Sequence, residues 1–565
     1  MPCLGSPLNV VVFLLDDMRA DHVWVLEQTM ARLGPHAVEF DRAYVTTPLC
    51  CPERASFLSG GFYAWETGVL TNEAPNGGAT VFVDTDTLAT QLQSAGVQTA
   101  LFGKYLNEYQ GLGNYVPPGW SAWGATWETE GWTGFTVQQG ASTPSQSSVS
   151  TEMNVPSYVT EWQTQSAVDF LRTAGERKFL YMSFLAPHYP RTPQAQDVGM
   201  YADYTHRGGA FEEVDVSDKP AWIGQLALLS PGQLAEADQN HAAALESMLA
   251  VDRAIAAILD EVEASGQTGN TLFVLTSDNG AQWREHRLEA KSVGYEESVR
   301  VPLVISHPAL AARRDAQLVA MNLDVPATVR GAFDVEAAGR GIDLSAAVCN
   351  EAAVGRENIV LQAWPTDTPT WVGLVDERYK YIEWATGELE LYDLAADPHE
   401  EQSAHADPLN DDLMQIYHDK VAAALGMAIT AESLAPGIVG EPYDQAISTW
   451  GGTAPLAFAL VGGVIPEGLS LAESGRVTGL PVRTGSENIL VEVVDSSISL
   501  YHAGPQKLAR TITIEVREGE AIGPGGAGGA NGACGCDGGA AGGGAALAAV
   551  AGRWGRARRR APLTN

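Results

Sequence analysis

The chain has 565 residues, 45% of them apolar and 18% charged, with a formal net charge of −35. This length exceeds one ordinary core and predicts two or three folded units, and the composition excludes a mostly disordered chain. The negative charge excludes nucleic acid as a partner, so any anionic substrate must meet lysine and arginine gathered locally.

The first residues, Met1 to Ser6, show neither a basic region nor a separate apolar segment, so no secretory signal peptide is visible. Val10–Leu15 is an unbroken apolar run, the pattern of a strand buried on both faces, and Asp16 and Asp17 follow it. Next comes Cys50-Cys51-Pro52-Glu53-Arg54. Pro52 and Glu53 ahead of Ala55–Leu58 read as a helix start. Cys50 would lie just outside that N-terminus, where backbone N–H groups favour negative charge, and Arg54, one turn in, would point back at it. The other reading of a free cysteine is a buried structural thiol.

Asp86–Ala95 reads as a helix stopped by Gly96, and Val97–Phe102 as a strand followed by Gly103-Lys104-Tyr105. Trp120, Trp123, Trp127 and Trp132 then cluster, either to stack on sugar rings in a pocket or to fill core. Tyr158–Thr173 and His241–Ala264 carry apolar residues at helical spacing. The strand Phe179–Leu185 is followed by Ala186-Pro187-His188, and the strand Thr271–Thr276 by Ser277-Asp278-Asn279-Gly280. Val301–Ser306 is a further strand. Alternating strands and helices over the first ~430 residues predict a doubly wound, mostly parallel α/β sheet with helices on both faces.

Glu441 to Arg517 changes texture to short alternating runs with turn residues, an all-β pattern. Its stretch Ile465 to Pro481 resembles the Ig-like modules appended to bacterial surface proteins. From Ala521 the chain is mostly Gly and Ala, then holds Cys534-Gly535-Cys536 and an arginine-rich end, Arg553 to Arg560. That order resembles myxobacterial C-terminal sorting tags; the plainer reading is a disordered tail. The six cysteines show no regular pairing, so a disulfide scaffold is not expected, and no stretch of about 18 apolar residues predicts a membrane span.

Ligands of open α/β sheets bind beyond the carboxyl ends of the strands. The residues collected there are Asp16, Asp17, Lys104, His188, Asp278 and Asn279. The oxygen donors among them favour Ca²⁺ or Mg²⁺ over Zn²⁺. For Asp16-Asp17 alone, a helix N-cap is the competing reading.

Cys50-Cys51-Pro52-Glu53-Arg54-Ala55-Ser56-Phe57-Leu58-Ser59-Gly60 resembles the signature of the sulfatase family, within the alkaline phosphatase superfamily. Asp16-Asp17, Gly103-Lys104, Ala186-Pro187-His188 and Thr276-Ser277-Asp278-Asn279-Gly280 are similar to that family in the same order. So are Glu285-His286-Arg287-Leu288, Lys291, Tyr295-Glu296-Glu297 and Arg300-Val301-Pro302-Leu303. Arg378 to Ile382 and Glu390 to Leu394 resemble its small C-terminal α+β subdomain. The resemblance spans residues 8–425. The resulting division is a catalytic domain at 8–340, its subdomain at 341–428, an Ig-like sandwich at 436–517 and a tail at 518–565.

The resemblance implies that a separate formylglycine-generating enzyme oxidises Cys50, which alone has Pro at +2 and Arg at +4, to formylglycine. One hydroxyl of the aldehyde hydrate would attack sulfur; the other would lose its proton, so that the aldehyde re-forms and sulfate leaves. It also implies one divalent cation, Ca²⁺ or Mg²⁺, held by Asp16, Asp17, Asp278, Asn279 and modified Cys50. Arg54 would stabilise the hydrate, Lys104 and Lys291 would neutralise sulfate oxygens, and His188 would protonate the leaving alcohol or bind sulfate. Many family members carry His two residues after the Gly-Lys lysine; here Leu106 stands there. Leu106-Asn107 and Pro117-Pro118-Gly119-Trp120 resemble the N-acetylglucosamine-6-sulfatase branch, which implies a 6-O-sulfated amino sugar in a secreted or surface-bound bacterial protein. His286 is either a neighbour of the site or a loop histidine. The alternatives are a phosphate monoester or phosphonate hydrolase of the superfamily, or an inert polysaccharide-binding surface protein.

Overall fold

The computed structural model describes residues 3–5, 9–126, 132–173, 175, 177–336, 338–350, 355–365, 368–425, 427–429, 431, 433–451, 456–494 and 507–518. Trp127, Cys534, Cys536 and the arginine-rich end lie outside them.

A ten-stranded sheet organises the chain. Its strands are β1 (Asn9–Asp16), β2 (Ala37–Tyr44), β3 (Gln98–Lys104), β4 (Ala122–Thr126), β5 (Thr133–Gly140), β6 (Thr151–Tyr158), β7 (Lys178–Pro187), β8 (Thr271–Ser277), β11 (Leu303–Ser306) and β12 (Arg313–Ala320). A small hairpin, β9 (Gln282–Trp283) and β10 (Glu289–Ala290), interrupts the sequence between β8 and β11. The order across the sheet is β12-β2-β11-β8-β1-β7-β3-β4-β5-β6.

The apolar run of β1 explains its central place. Val10, Val12 and Leu14 enter one core layer, whereas Val11, Phe13 and Leu15 enter the other, as the two-residue period of a strand requires. Helices α1 (Glu27–Leu33), α5 (Val159–Arg172) and α6 (Pro231–Ala264) cover one face; α2 (Cys50–Leu58), α4 (Leu88–Ser94) and α8 (Met321–Ala332) cover the other, with the one-turn α3 (Ala64–Thr67) after α2. The doubly wound α/β expectation therefore holds, and the centre β8-β1-β7-β3-β4 is parallel.

The edges depart from it. β11 runs antiparallel to both β2 and β8, and β4, β5 and β6 form an antiparallel meander. The link from β8 to β11 holds only the hairpin and the one-turn α7 (Glu296–Val299), and a parallel return needs a long crossover. α6 begins ten residues earlier than its apolar pattern shows. Ser230 caps it, Pro231 takes the first turn and Gln233 completes a capping box, so its polar first turns fold on capping rather than burial.

Beyond α9 (Ser345–Cys349), four strands β13 (Asn358–Ala363), β14 (Trp371–Asp376), β15 (Tyr379–Trp384) and β16 (Leu389–Asp393) form an antiparallel sheet. One face packs on α10 (Asp411–Leu425) and the other on residues of α7 and β12. Further on, a four-stranded sheet containing Gly485–Val494 and Lys507–Arg517 and a three-stranded sheet containing Arg476–Gly479 share their own core, from Ile429 to Ile514. This is the all-β sandwich expected from the sequence. Among the described residues one disulfide, Cys3–Cys349, ties the N-terminal segment to the end of α9 with Cα atoms 5.7 Å apart. A sequence separation of 346 residues hid it from any reading of spacing.

Candidate active site

Asp16 ends β1, Lys104 ends β3, His188 follows β7, and Asp278 and Asn279 follow β8. All stand at the carboxyl rim. Cys50 is the first residue of α2 rather than just outside it, with Leu49 as an extended N-cap. Lys291 arrives on the segment after β10.

Arg54 ties these groups together. Its Nε donates to Asp278 Oδ2 at 2.9 Å, its Nη2 stands 2.8 Å from the same oxygen as an ion-pair contact, and its Nη1 donates to the Lys104 carbonyl at 3.0 Å and to Ser183 Oγ at 2.5 Å. Lys104 Nζ lies 2.7 Å from Asp16 Oδ2. The Cys50 thiol donates to Asp16 Oδ1 at 3.4 Å, and Lys291 Nζ donates to Cys50 Sγ at 2.7 Å and to Asp17 Oδ1. Asp17, held at φ 70°, receives Asn279 Nδ2 at 2.6 Å, and its own N–H donates to Asp278 Oδ1 at 3.1 Å. His188 Nε2 stands 3.9 Å from Asp17 Oδ2, while its Nδ1 lies 2.7 Å from the Tyr189 carbonyl.

Burial opposes ionisation of Asp16, but Lys104, His188 and Arg54 hold its carboxyl well below the usual range. Burial, then the adjacent Asp16, push both Asp278 and the Cys50 thiol upward. Three carboxylates, of Asp16, Asp17 and Asp278, thus face three cations, of Arg54, Lys104 and Lys291, with Asp17 and Lys291 only half-buried. The residues also fit a hard cation. Asn279 Oδ1 is buried with no hydrogen-bond partner, and Asp16, Asp17, Cys50 and His188 each present a ligand atom within 4.8 Å of the others. Asp278 is turned to Arg54 and the Asp17 N–H.

Of the four tryptophans, the three that are described do not line this site. Trp120 and Trp123 are buried in one core layer, Trp123 donating to Tyr109 Oη at 2.9 Å, and Trp132 is buried in the other. Leu106 is core as well. Sequence reasoning missed Ser183, which had no motif to mark it. It also missed Arg191, three residues past His188, and Trp283 on β9.

His286 is a loop residue, in the turn between β9 and β10, and it is fully buried. Its ring lies against Glu213 Oε2, with Nδ1 at 2.7 Å, and it shares a cluster with Glu297 and Glu400. Burial, then Lys219, pull His286 down to about 3, so it is neutral. Burial, then Glu285, push Glu297 up to about 8 from an ordinary 4.5. The folded chain therefore keeps a proton on Glu297 that the unfolded chain releases. The resulting stability is full below about 4.5 and is lost as pH rises to about 8. Glu297→Gln should accordingly stabilise the protein at pH 8 relative to pH 5, by on the order of 1–3 kcal/mol in urea unfolding. An identical offset at both pH values would show that Glu297 is ionised in the fold.

A parallel rim that gathers acidic oxygens, two lysines, an arginine and a histidine around a helix-start cysteine defines an α/β protein of the alkaline phosphatase-like class. Within it, the chain belongs to the sulfatase family, whose profile matches residues 8–335. Residues 284–425 match the C-terminal family of N-sulphoglucosamine sulphohydrolase, and residues 428–515 an Ig-domain family. The chain is 29% identical over 333 residues to an extracellular sulfatase SULF-1 homolog of Drosophila melanogaster, covering 57% of this chain and 29% of that protein. It is 26% identical over 453 residues to the N-acetylglucosamine-6-sulfatase of Capra hircus, covering 69% and 79%. Against the N-acetylglucosamine-6-O-sulfatase of Bacteroides thetaiotaomicron it is 25% identical over 477 residues, covering 69% and 81%. The chain spans less than half of the length of two of these relatives, 29% of the Drosophila protein and 46% of a Caenorhabditis elegans putative extracellular sulfatase homolog. Among solved structures, one in complex with its substrate D-glucosamine-2-N,6-O-disulfate matches with TM-score 0.64 at 20% identity, over 74% of this chain and 97% of that one. The phosphonate monoester hydrolase of Agrobacterium radiobacter matches with TM-score 0.57 at 19% identity, over 74% and 95%. At these identities the likeness is one of fold.

Proposed function

We propose that this chain hydrolyses sulfate esters of carbohydrates, with 6-O-sulfated N-acetylglucosamine as the substrate class. The carrying observation is the convergence of Cys50 and Arg54 with Lys104, Lys291 and His188 on one carboxylate rim. The sugar assignment is supported by the N-acetylglucosamine-6-sulfatases among the relatives. In this reading residues 8–340 and 341–428 form the catalytic unit, 436–517 the Ig-like sandwich, and 518–565 a tail for surface attachment. Cys50 is converted to formylglycine by a separate generating enzyme.

Asp16, Asp17, Asp278, Asn279 and modified Cys50 would hold one divalent cation, Ca²⁺ or Mg²⁺. When present, the cation polarises a sulfate oxygen, and the formylglycine hydrate supplies a nucleophilic hydroxyl with a built-in route for releasing sulfate. The chain's own residues do the rest. Arg54 fixes Asp278 and the helix start that carries the nucleophile. Lys104 and Lys291 neutralise the non-reacting sulfate oxygens, the local positive charge that a chain of −35 requires. His188 donates Nδ1–H to the Tyr189 carbonyl, which leaves Nε2 to hold a proton for the departing alcohol oxygen. Leu106 supplies no such proton, so that task falls to His188.

The Cys3–Cys349 disulfide supports export to an oxidising compartment, and no described helix is long and apolar enough to cross a membrane. Steady-state rates on an aryl sulfate and an aryl phosphate test the reaction class: kcat/KM for the sulfate should be higher by at least ~10²-fold, and the reverse order would establish the phosphate or phosphonate reading. Exhaustive chelation should lower aryl sulfate turnover by at least ~10²-fold, with recovery on adding Ca²⁺ or Mg²⁺. Full turnover after chelation would overturn the cation assignment.

A further inference from the structure

The turn after β7 delivers more than His188. Arg191 lies three residues on, at φ 58°, in the left-handed region that a non-glycine residue occupies only under constraint. Its N–H is tied to the His188 carbonyl at 3.0 Å, so the two side chains belong to one turn. The Arg191 guanidinium sits 4.7 Å over the Trp283 ring and 5.9 Å from the Tyr189 ring. Trp283 is itself stacked on buried His241 with ring centroids 4.1 Å apart, and its backbone N–H donates to Glu285 Oε2 at 2.6 Å. Glu285 is in turn held by Arg19 and by His206 at 2.6 Å. The guanidinium therefore rests on a platform braced from below.

Among the described residues, Arg191 has no acidic partner, and its Nε is buried without a hydrogen bond. Two carboxylates act on it from a distance, and both are engaged elsewhere. Asp17 is bound by Lys291 and Asn279, and Glu289 lies 3.6 Å from Arg284. Burial draws the guanidinium below its ordinary value, the signature of a cation partly stripped of water and left unmatched. In a chain of net charge −35, where acids outnumber bases 69 to 34, such a cation is unusual. It does not duplicate Lys104 and Lys291, which stand at Asp16 and Cys50. Tyr189, between His188 and Arg191, is 58% exposed, so this turn forms the mouth of the site.

We infer that Arg191 binds a second anionic group on the substrate, a carboxylate or a second sulfate carried on the same sugar chain as the sulfate ester to be cleaved. The inference rests on the sulfatase reading above and narrows its substrate class to polyanionic saccharides. The planar guanidinium fork, pre-placed on Trp283, offers paired N–H donors to either oxyanion. Glycans with a single sulfate would leave it unmatched and desolvated, a penalty that discriminates against them.

The test compares wild type with Arg191→Gln and Arg191→Lys on three probes: N-acetylglucosamine 6-sulfate, glucosamine carrying 2-N- and 6-O-sulfates, and a uronate-linked N-acetylglucosamine 6-sulfate disaccharide. Arg191→Gln should lower kcat/KM on at least one dianionic probe by on the order of 10- to 100-fold more than on the monosulfated sugar, mainly through KM. Arg191→Lys, which keeps charge without the fork, should fall between. A selective loss on the N-sulfated probe identifies the second group as sulfate; a selective loss on the disaccharide identifies it as carboxylate. Equal loss on all three probes, or none, overturns the inference. If wild type cleaves no probe, the sulfatase reading fails by itself. Calorimetric binding of the same probes then judges Arg191: selective weakening of dianion binding in Arg191→Gln upholds the subsite, and unchanged or uniformly altered binding overturns it.

Discussion

Cys50→Ala should lower hydrolysis of an aryl sulfate by at least ~10⁴-fold in kcat/KM. No other described group can take its place. The acids around it are carboxylates engaged by Arg54, Lys104 and Lys291, and the only neighbouring thiol, Cys51, is buried in the core layer beneath the sheet. The unmodified thiol is itself a poor candidate nucleophile. A sulfur–sulfur bond to the transferred group would leave no easy exit, whereas a hydrate carries a second hydroxyl whose proton can depart as the aldehyde re-forms. Cys51→Ala provides the contrast. It removes a small buried side chain at a cost of about 1–2 kcal/mol and should keep turnover within about tenfold of wild type. Mass spectrometry of the peptide holding Cys50 supplies the chemical half of the result. Active protein from its native source should carry the aldehyde, and active protein carrying only the thiol would sink the proposed nucleophile.

The legibility of this site follows from how locally each part is encoded. Val10–Leu15 announces a buried central strand by composition alone, and the residues after it inherit a place at the rim from the topology of a parallel sheet. Asp16, Lys104, His188 and Asp278 were all legible for that reason. The antiparallel flank was not, because β6 reads Thr151-Glu152-Met153-Asn154 with all four exposed and shows no strand period. For the described tryptophans, Trp120, Trp123 and Trp132, the sequence left two readings open, and the core reading holds. Trp123 on β4, and Trp120 and Trp132 just ahead of β4 and β5, look available to a sugar in sequence, yet both faces of the sheet are covered and these rings fill core. Pairings across long separations were invisible: Cys3 with Cys349, Arg54 with Ser183, and Arg191 with Trp283 depend on tertiary placement that no local pattern records.

Arg54→Lys should lower activity, though less than loss of Cys50, and unlike that loss it should also weaken the fold. Arg54 is buried, and its guanidinium serves Asp278 through two nitrogens while Nη1 reaches the Lys104 carbonyl and Ser183 Oγ. An ammonium carries the charge but not the planar fork, and cannot reach acceptors on β3, on β7 and just past β8 at once. Asp278 would then be a buried carboxylate with an incomplete partner, pushed upward by burial and by Asp16 as it already is in part. Breaking a buried pair in this way costs about 3–5 kcal/mol. Turnover should fall by at least ~10²-fold, because Asp278 and the first turn of α2 would lose the side chain that registers them against each other. Urea unfolding and aryl sulfate kinetics on the same preparation measure both effects. A variant that unfolds like wild type and yet has lost activity would assign Arg54 to substrate chemistry alone; one that keeps wild-type stability and wild-type turnover would show that the four contacts of this guanidinium are not what holds the site together.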